Sequence, residues 1–279
     1  MYISNRLVFS KEHTPLTSYE IIDADWNDEF GLVVILQEKQ EFKVVYNEKI
    51  FIPNIELYYP IIRWIDNETL VIANPRTELS EDNVFIFNLS GTILGSFNCG
   101  DGIENLEVNK EGIWISYFDE GVFGTGISTE GLVLSDFTGN VIFRFHSDLL
   151  NGPSIDDCYA ICKGKGNSIW LFPYMNFPLV QVFPESRIVK SYKVPKKLHG
   201  SKAICVRGKY SYFYNSYNSD AEFFSWEIGK KQFQSLGKFD GMARGLGNSE
   251  NNHFISISEE SINLLRIHNV DEYNFSLID

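Results

Sequence analysis

Apolar β-rich runs, each led by a bend of Asn, Asp, Glu, Lys or Gly, recur along the chain about every forty residues. They read WNDEFGLVVIL from Trp26, WIDNETLVIA from Trp64, VNKEGIWISYF from Val108, CKGKGNSIWLF from Cys162, VRGKYSYFY from Val206 and GNSENNHFISI from Gly247. A bend followed by a period-two apolar run predicts a hairpin, and hairpins at a fixed spacing predict units that bury their faces only against one another. The fold class this implies is all-β: a six-bladed β-propeller of about forty residues per blade, filling the chain as one domain.

The blades are expected near 19–53, 61–97, 103–145, 156–194, 203–239 and 243–268. In the first, strands fall near Glu20–Asp25, Leu32–Gln37, Phe42–Tyr46 and Lys49–Ile52, with a turn at Asn47-Glu48. The outer hairpins of the second and third units, VFIFNLSGTILGSF and LVLSDFTGNVIFRF, echo each other around Ser90-Gly91 and Thr138-Gly139. The sixth unit lacks an outer strand after INLLRIHN, and the N-terminal segment Tyr2–Phe9 is expected to supply it, pairing the two ends of the chain and removing open edges.

Strand order then sorts the loops. The links between blades and the loops joining second to third strands emerge on one face, and the tight hairpins on the other. The longer connections, Asn74–Asn83, Asp119–Gly131, Pro173–Pro178, Asn215–Glu222, Cys99–Asn105, Ser147–Asp157, Pro195–Lys202 and Phe239–Gly245, all fall on the first face. Functional groups concentrate in loops on a rigid scaffold, so that face is where a site is expected.

Aromatics at 15% suit stacked sheets. A formal charge of −13 argues against nucleic acid, whose affinity comes mainly from Lys and Arg. No window approaches the run of about 18 apolar residues that spans a bilayer, and the N-terminus lacks the apolar core of a leader, so a cytoplasmic protein without a membrane partner is expected. Cys158 and Cys162 are read as buried thiols sharing one strand face with Ala160. No His stands at ligand spacing beside them.

The densest polar constellation belongs to the third unit, where Asp101 and Glu104 precede the first strand and Asp119 and Glu120 begin the long loop. With Gly102, Gly121, Gly124 and Gly126 they would suit calcium, which takes six to eight oxygens. They would equally serve as turn residues, as partner contacts, or as an acid and base that raise each other's pKa. No other cofactor is implied. Arg63 and Arg244 would offer planar forks to a carboxylate or phosphate, or pair internally, while Tyr174, Tyr214 and Tyr217 would add ring faces at the rim. There is no Gly-x-Ser-x-Gly elbow, phosphate-binding loop or His-Glu-x-x-His helix, and GLGNSE at Gly245 lacks the helix of a dinucleotide fingerprint.

The stretch GDGIENLEVNKEGIWISYFDEGVFG (Gly100–Gly124), with GLVLSDFTGNVIFRF (Gly131–Phe145), resembles a group of bacterial propeller-like proteins carrying a D-G-I-E and I-W-[VI]-S-Y-F-D-E-G-V-[FY]-G signature. The chain is also broadly similar to YVTN and NHL propellers. The resemblance covers about one unit closely, and implies a bacterial propeller but no activity. Lactonases in the wider set use metal-binding carboxylates around the channel, and their full Glu/Asn/Asp ligand set is not matched here. The expectation is therefore a non-catalytic module that binds a protein, a peptide or a small polar ligand on an acidic long-loop face. The alternative is a metal-dependent hydrolase, lactonase-like enzyme or lyase at the channel mouth.

Overall fold

In a computed structural model, which describes residues 1–13, 15–78, 80–216, 221–247 and 250–269, six four-stranded antiparallel sheets form the blades of a β-propeller. From the axis outwards, the first blade is Glu20–Asn27, Gly31–Glu38, Glu41–Tyr46 and Lys49–Phe51. The second is Ile61–Trp64, Thr69–Ala73, Val84–Asn88 and Ile93–Phe97. The third is Ile103–Val108, Ile113–Tyr117, Leu132–Ser135 and Val141–Arg144. The fourth is Cys158–Lys163, Ile169–Pro173, Pro178–Phe183 and Ile188–Lys193, and the fifth is Ala203–Arg207, Tyr210–Asn215, Glu222–Glu227 and Phe233–Lys238.

The sixth blade joins the two ends of the chain. Met242–Gly245, Phe254–Ile257 and Ser261–His268 make its inner three strands, and Tyr2–Ser10 is the fourth, running from Tyr2 opposite His268 to Ser10 opposite Ser261. The expected closure by the N-terminal strand is what the topology has. It is also what a ring needs, since an unpaired outer strand would leave a row of open backbone groups.

Apolar layers lie between neighbouring blades. Val33, Ile35 and Val44 of the first blade meet Ile62, Leu70 and Ile72 of the second. Trp114, Leu134 and Phe143 of the third meet Ile161, Leu171 and Val180 of the fourth. Period two explains the division, because alternate residues of a strand face opposite sides and each side of a blade has its own neighbour. At about 25 cal/mol per Å² of apolar surface removed from water, these contacts are the main force holding the ring.

Two expectations change. Cys158 does not share a face with Ala160 and Cys162: it packs toward the third blade with Ile161, while the other two pack toward the fifth. A β-bulge between Cys158 and Ala160 inserts an unpaired residue and reverses the alternation. The long segment after Tyr117 is not an open loop but folds into short helical turns at Asp119–Val122 and Gly126–Glu130. All four cysteines are buried, unbonded thiols, and no helix among the described residues is long and apolar enough to cross a membrane.

Candidate functional site

The innermost strands line the axis, and between them lies a buried ionic network rather than an open channel. Arg63 donates from Nε to the Leu106 carbonyl at 3.0 Å, from one terminal nitrogen to Asp23 Oδ2 at 2.5 Å, and from the other to Asn105 Oδ1 at 2.7 Å. Arg244 reaches Asp25 Oδ1 at 2.5 Å and Glu107 Oε1 at 3.5 Å, and Lys163 Nζ stands 3.8 Å from Glu107 Oε2. Neither arginine is an open fork for a ligand: Arg63 is 3% and Arg244 9% exposed. Each guanidinium ties the first blade to another, which a charge buried this deeply requires.

Electrostatics follow from this geometry. Burial opposes ionisation of Asp25, but Arg244, Arg63 and Lys163 outweigh it and hold the carboxyl below its ordinary value. Burial dominates at Glu107 and raises its pKa against the pull of Lys163, Arg244 and Arg63. Burial also disfavours the Arg244 cation, yet Asp25 and Glu107 raise its pKa overall.

The four carboxylates of the third unit do not converge. Arg76 takes two of them, Nε donating to Asp101 Oδ1 at 2.9 Å and a terminal nitrogen to Glu120 Oε2. Their loops touch at two glycines: a Cβ on Gly102, whose φ is +79°, would lie 2.5 Å from the Cα of Gly121. Glu104 and Asp119 turn the other way and share the field of Asp157 and Lys202. Among the described residues, no three of His, Cys, Asp or Glu gather closely enough to hold a metal ion.

Glu104 owes its place to a bulge. Ile103 pairs with Tyr117 and Asn105 with Ser116, so Glu104 is the unpaired extra residue of its strand. The same device recurs at the mouth-side ends of two other innermost strands. It leaves Ile22 unpaired between Ile21 and Asp23 in the first blade, and Tyr159 unpaired between Cys158 and Ala160 in the fourth. Bulges re-aim side chains, and they gather beside functional sites. Ile22 and Glu104 both line a cavity of about 540 Å³ at the mouth, together with Tyr59, Phe118 and Met242.

Beside this cavity, Lys202 lies 3.5 Å from the centre of the Tyr159 ring and 3.9 Å from Glu104 Oε1. Burial, followed by the charges of Asp157 and Asp119, pushes the Glu104 carboxyl up to about 7 against the attraction of Lys202. Burial and Asp119 likewise raise Asp157, whose Oδ1 is buried without a hydrogen-bond partner. Tyr174 is at this rim, its backbone N–H bonded to the Asp157 carbonyl at 2.8 Å and its ring packed on Tyr159 and Phe177. Tyr214 is buried and donates to the Gly241 carbonyl, and Tyr217 lies outside the described residues.

Sequence reasoning had not singled out Tyr59, Met242, Phe118 or Tyr159. A signal was present for Tyr59, which precedes Pro60 in the link to the second blade. It holds φ at +50° and is 82% exposed. That conformation is uncommon for a bulky non-glycine residue.

No protein-family model and no curated protein sequence matches the chain. Solved structures match over nearly its whole length. Virginiamycin B lyase from Staphylococcus aureus is 10% identical with a TM-score of 0.51, covering 95% of this chain and 100% of that one. YCF48 bound to D1 peptide is 10% identical with a TM-score of 0.56, covering 96% and 98%. A chain of the mitotic checkpoint complex is 10% identical at 0.56, covering 95% of each. The likeness is one of fold, and the class of protein is a six-bladed β-propeller.

Proposed function

We propose that this propeller is a binding module whose long-loop mouth takes a segment of a partner protein that presents an apolar side chain next to a lysine or arginine. The observation that carries the reading is the set of three bulges that turn Ile22, Glu104 and Tyr159 to the mouth. A cavity of about 540 Å³ with Tyr59, Phe118 and Met242 in its wall suits an apolar anchor, since aromatic and Met side chains dominate interface cores. Around it, Glu104, Asp119 and Asp157 lie in the field of Lys202, while Arg63 and Arg244, which also line the cavity, are already paired with Asp23 and Asp25, so the carboxylates at the rim remain open to a partner's cation. Lys202 itself displays the chemistry the site favours: an ammonium on an aromatic face beside a carboxylate.

YCF48 holds the D1 peptide and the mitotic checkpoint complex is a protein assembly, so propellers of this shape include ones with such partners. The reading for this chain rests on its own mouth. Panning a random peptide library on the protein tests it: enriched peptides should share an apolar residue flanked by Lys or Arg. Enrichment of acidic peptides, or of none above a Met242→Glu control, counts against it.

A lyase- or hydrolase-type enzyme has one observation in its favour, the Glu104 carboxyl held near the pKa of a working acid or base with Lys202 beside it. It would act at the same mouth. Turnover of a ring-opened or eliminated substrate that is lost in Glu104→Gln would favour it over binding alone.

A further inference from the structure

The face opposite the mouth, where the tight hairpins lie, carries a groove between the sixth blade and the first. Its cavity of about 580 Å³ is lined by Ser4, Arg6, Trp26, Asn252, Arg266 and His268, among others. Ser4 pairs with Arg266 and Arg6 with Leu264, so both arginines project from one face of the two outermost strands, one step apart along the diagonal. Arg6 extends over the Trp26 ring, its guanidinium carbon 5.1 Å from the ring centre.

Of the nearby carboxylates, Asp28 also lines the groove, and both it and Glu250 accept hydrogen bonds from neighbouring groups. Asp28 accepts from the Trp26 indole at 2.7 Å and from the backbone and side chain of Asn251 at 2.6 Å each. Glu250 Oε2 accepts from the Asp28 backbone at 2.7 Å. Among the described residues, neither Arg6 nor Arg266 has a carboxylate within ion-pair distance. Two guanidiniums without an ion-pair partner among the described residues, against one carboxylate in the groove's lining, stand out in a chain whose net charge is −13.

His253, just behind the groove, registers the same field. Burial, then the charges of Arg207, Arg266 and His268, push its pKa down to about 3. The neutral ring accepts the Ile267 N–H at Nδ1, 3.2 Å away.

We propose that this groove is a second binding site, for a small hydroxyl-rich anion whose carboxylate or phosphate lies between Arg6 and Arg266 and whose hydroxyls meet Ser4 and Asn252. Guanidinium forks match the planar edge of either oxyanion, and amide and hydroxyl side chains suit a polyol body. The groove straddles the seam where the N-terminal strand closes the ring, so an occupant would hold the seam shut and raise the melting temperature by mass action.

Thermal shift and titration calorimetry with glucuronate, glucose 6-phosphate, glucose, and NaCl at matched ionic strength test the proposal. A saturable rise with either acid, absent with glucose and with salt, is the expected result, and the acid that responds identifies the oxyanion. Arg266→Gln should weaken the Kd about tenfold and Arg6→Gln with Arg266→Gln more, while Met242→Glu at the mouth should leave it unchanged. No saturable response to either acid up to about 20 mM would overturn it, as would an unchanged Kd in Arg266→Gln. Arg266 is exposed, so that variant decides even if the double variant fails to fold.

Discussion

Arg244 of the sixth blade lies 2.5 Å from Asp25 of the first, bridging the two innermost strands that meet where the ring closes. The same guanidinium reaches Glu107 of the third blade at 3.5 Å. Removing it takes the main cation from Asp25 and leaves Glu107 with Lys163 as its nearest one. Arg244→Ala should therefore lose about 3–5 kcal/mol, read as a shift in the urea midpoint at constant slope. Arg244→Met combined with Asp25→Asn and Glu107→Gln should recover most of that loss, because Arg63 keeps its pair with Asp23 and the remaining cation, Lys163, reaches solvent. A loss below about 1 kcal/mol in the single variant would mean that the network does not hold the axis.

Stability in acid should depend on His253. Its folded pKa of about 3 lies below the ordinary 6.5, so between those values the unfolded chain binds a proton that the folded chain refuses. Stability from this group is full above about 6.5 and is lost as pH falls, at roughly 1.4 kcal/mol per unit. His253→Gln should flatten that limb while leaving stability at pH 8 within about 1.5 kcal/mol. Parallel curves for the two proteins from pH 6 to 4 would contradict the assignment.

Glu104 has the opposite sign. With a folded pKa of about 7 against an ordinary 4.5, the folded state binds the extra proton between those values, so its contribution falls as pH rises through that window. By pH 8 the ionised group costs on the order of 3 kcal/mol. Glu104→Gln should be the more stable protein at pH 8, and the difference should vanish below about pH 4.5. A difference that does not change with pH would place the carboxyl in an ordinary solvated setting.

Gly245 tests how closely the inner strands approach one another. A Cβ there would sit 1.7 Å from the Ile204 carbonyl oxygen of the fifth blade. Gly245→Ala should cost about 1–3 kcal/mol through backbone displacement, measured by chemical denaturation. An alanine variant as stable as wild type would mean that the fifth and sixth blades are not packed this tightly.

The ring was legible in the sequence because its signal is local: a bend, then an alternating apolar run, repeated. Six units follow from it, and the missing outer strand of the sixth unit pointed to Tyr2–Phe9, where the strand Tyr2–Ser10 stands. The axis was not legible. Asp23, Asp25, Glu107 and Lys163 read as polar strand residues, and only the closure of the ring brings blades one, three, four and six to a common centre. The division of Asp101, Glu104, Asp119 and Glu120 into two sets was hidden for a related reason. Nearness in the chain says nothing about a single-residue bulge at Glu104, and that bulge separates it from the Arg76 clasp on Asp101 and Glu120.

The mouth is tested most directly by the affinity of one selected apolar-and-cationic peptide for wild type, Met242→Glu and Glu104→Gln, measured by titration calorimetry at pH 8. Binding should weaken about tenfold or more in each variant, the first by filling the apolar wall with charge and the second by removing a carboxylate that faces the peptide's cation. It should stay unchanged in Arg266→Gln, on the opposite face. Equal affinity across wild type, Met242→Glu and Glu104→Gln would contradict a binding site at the mouth.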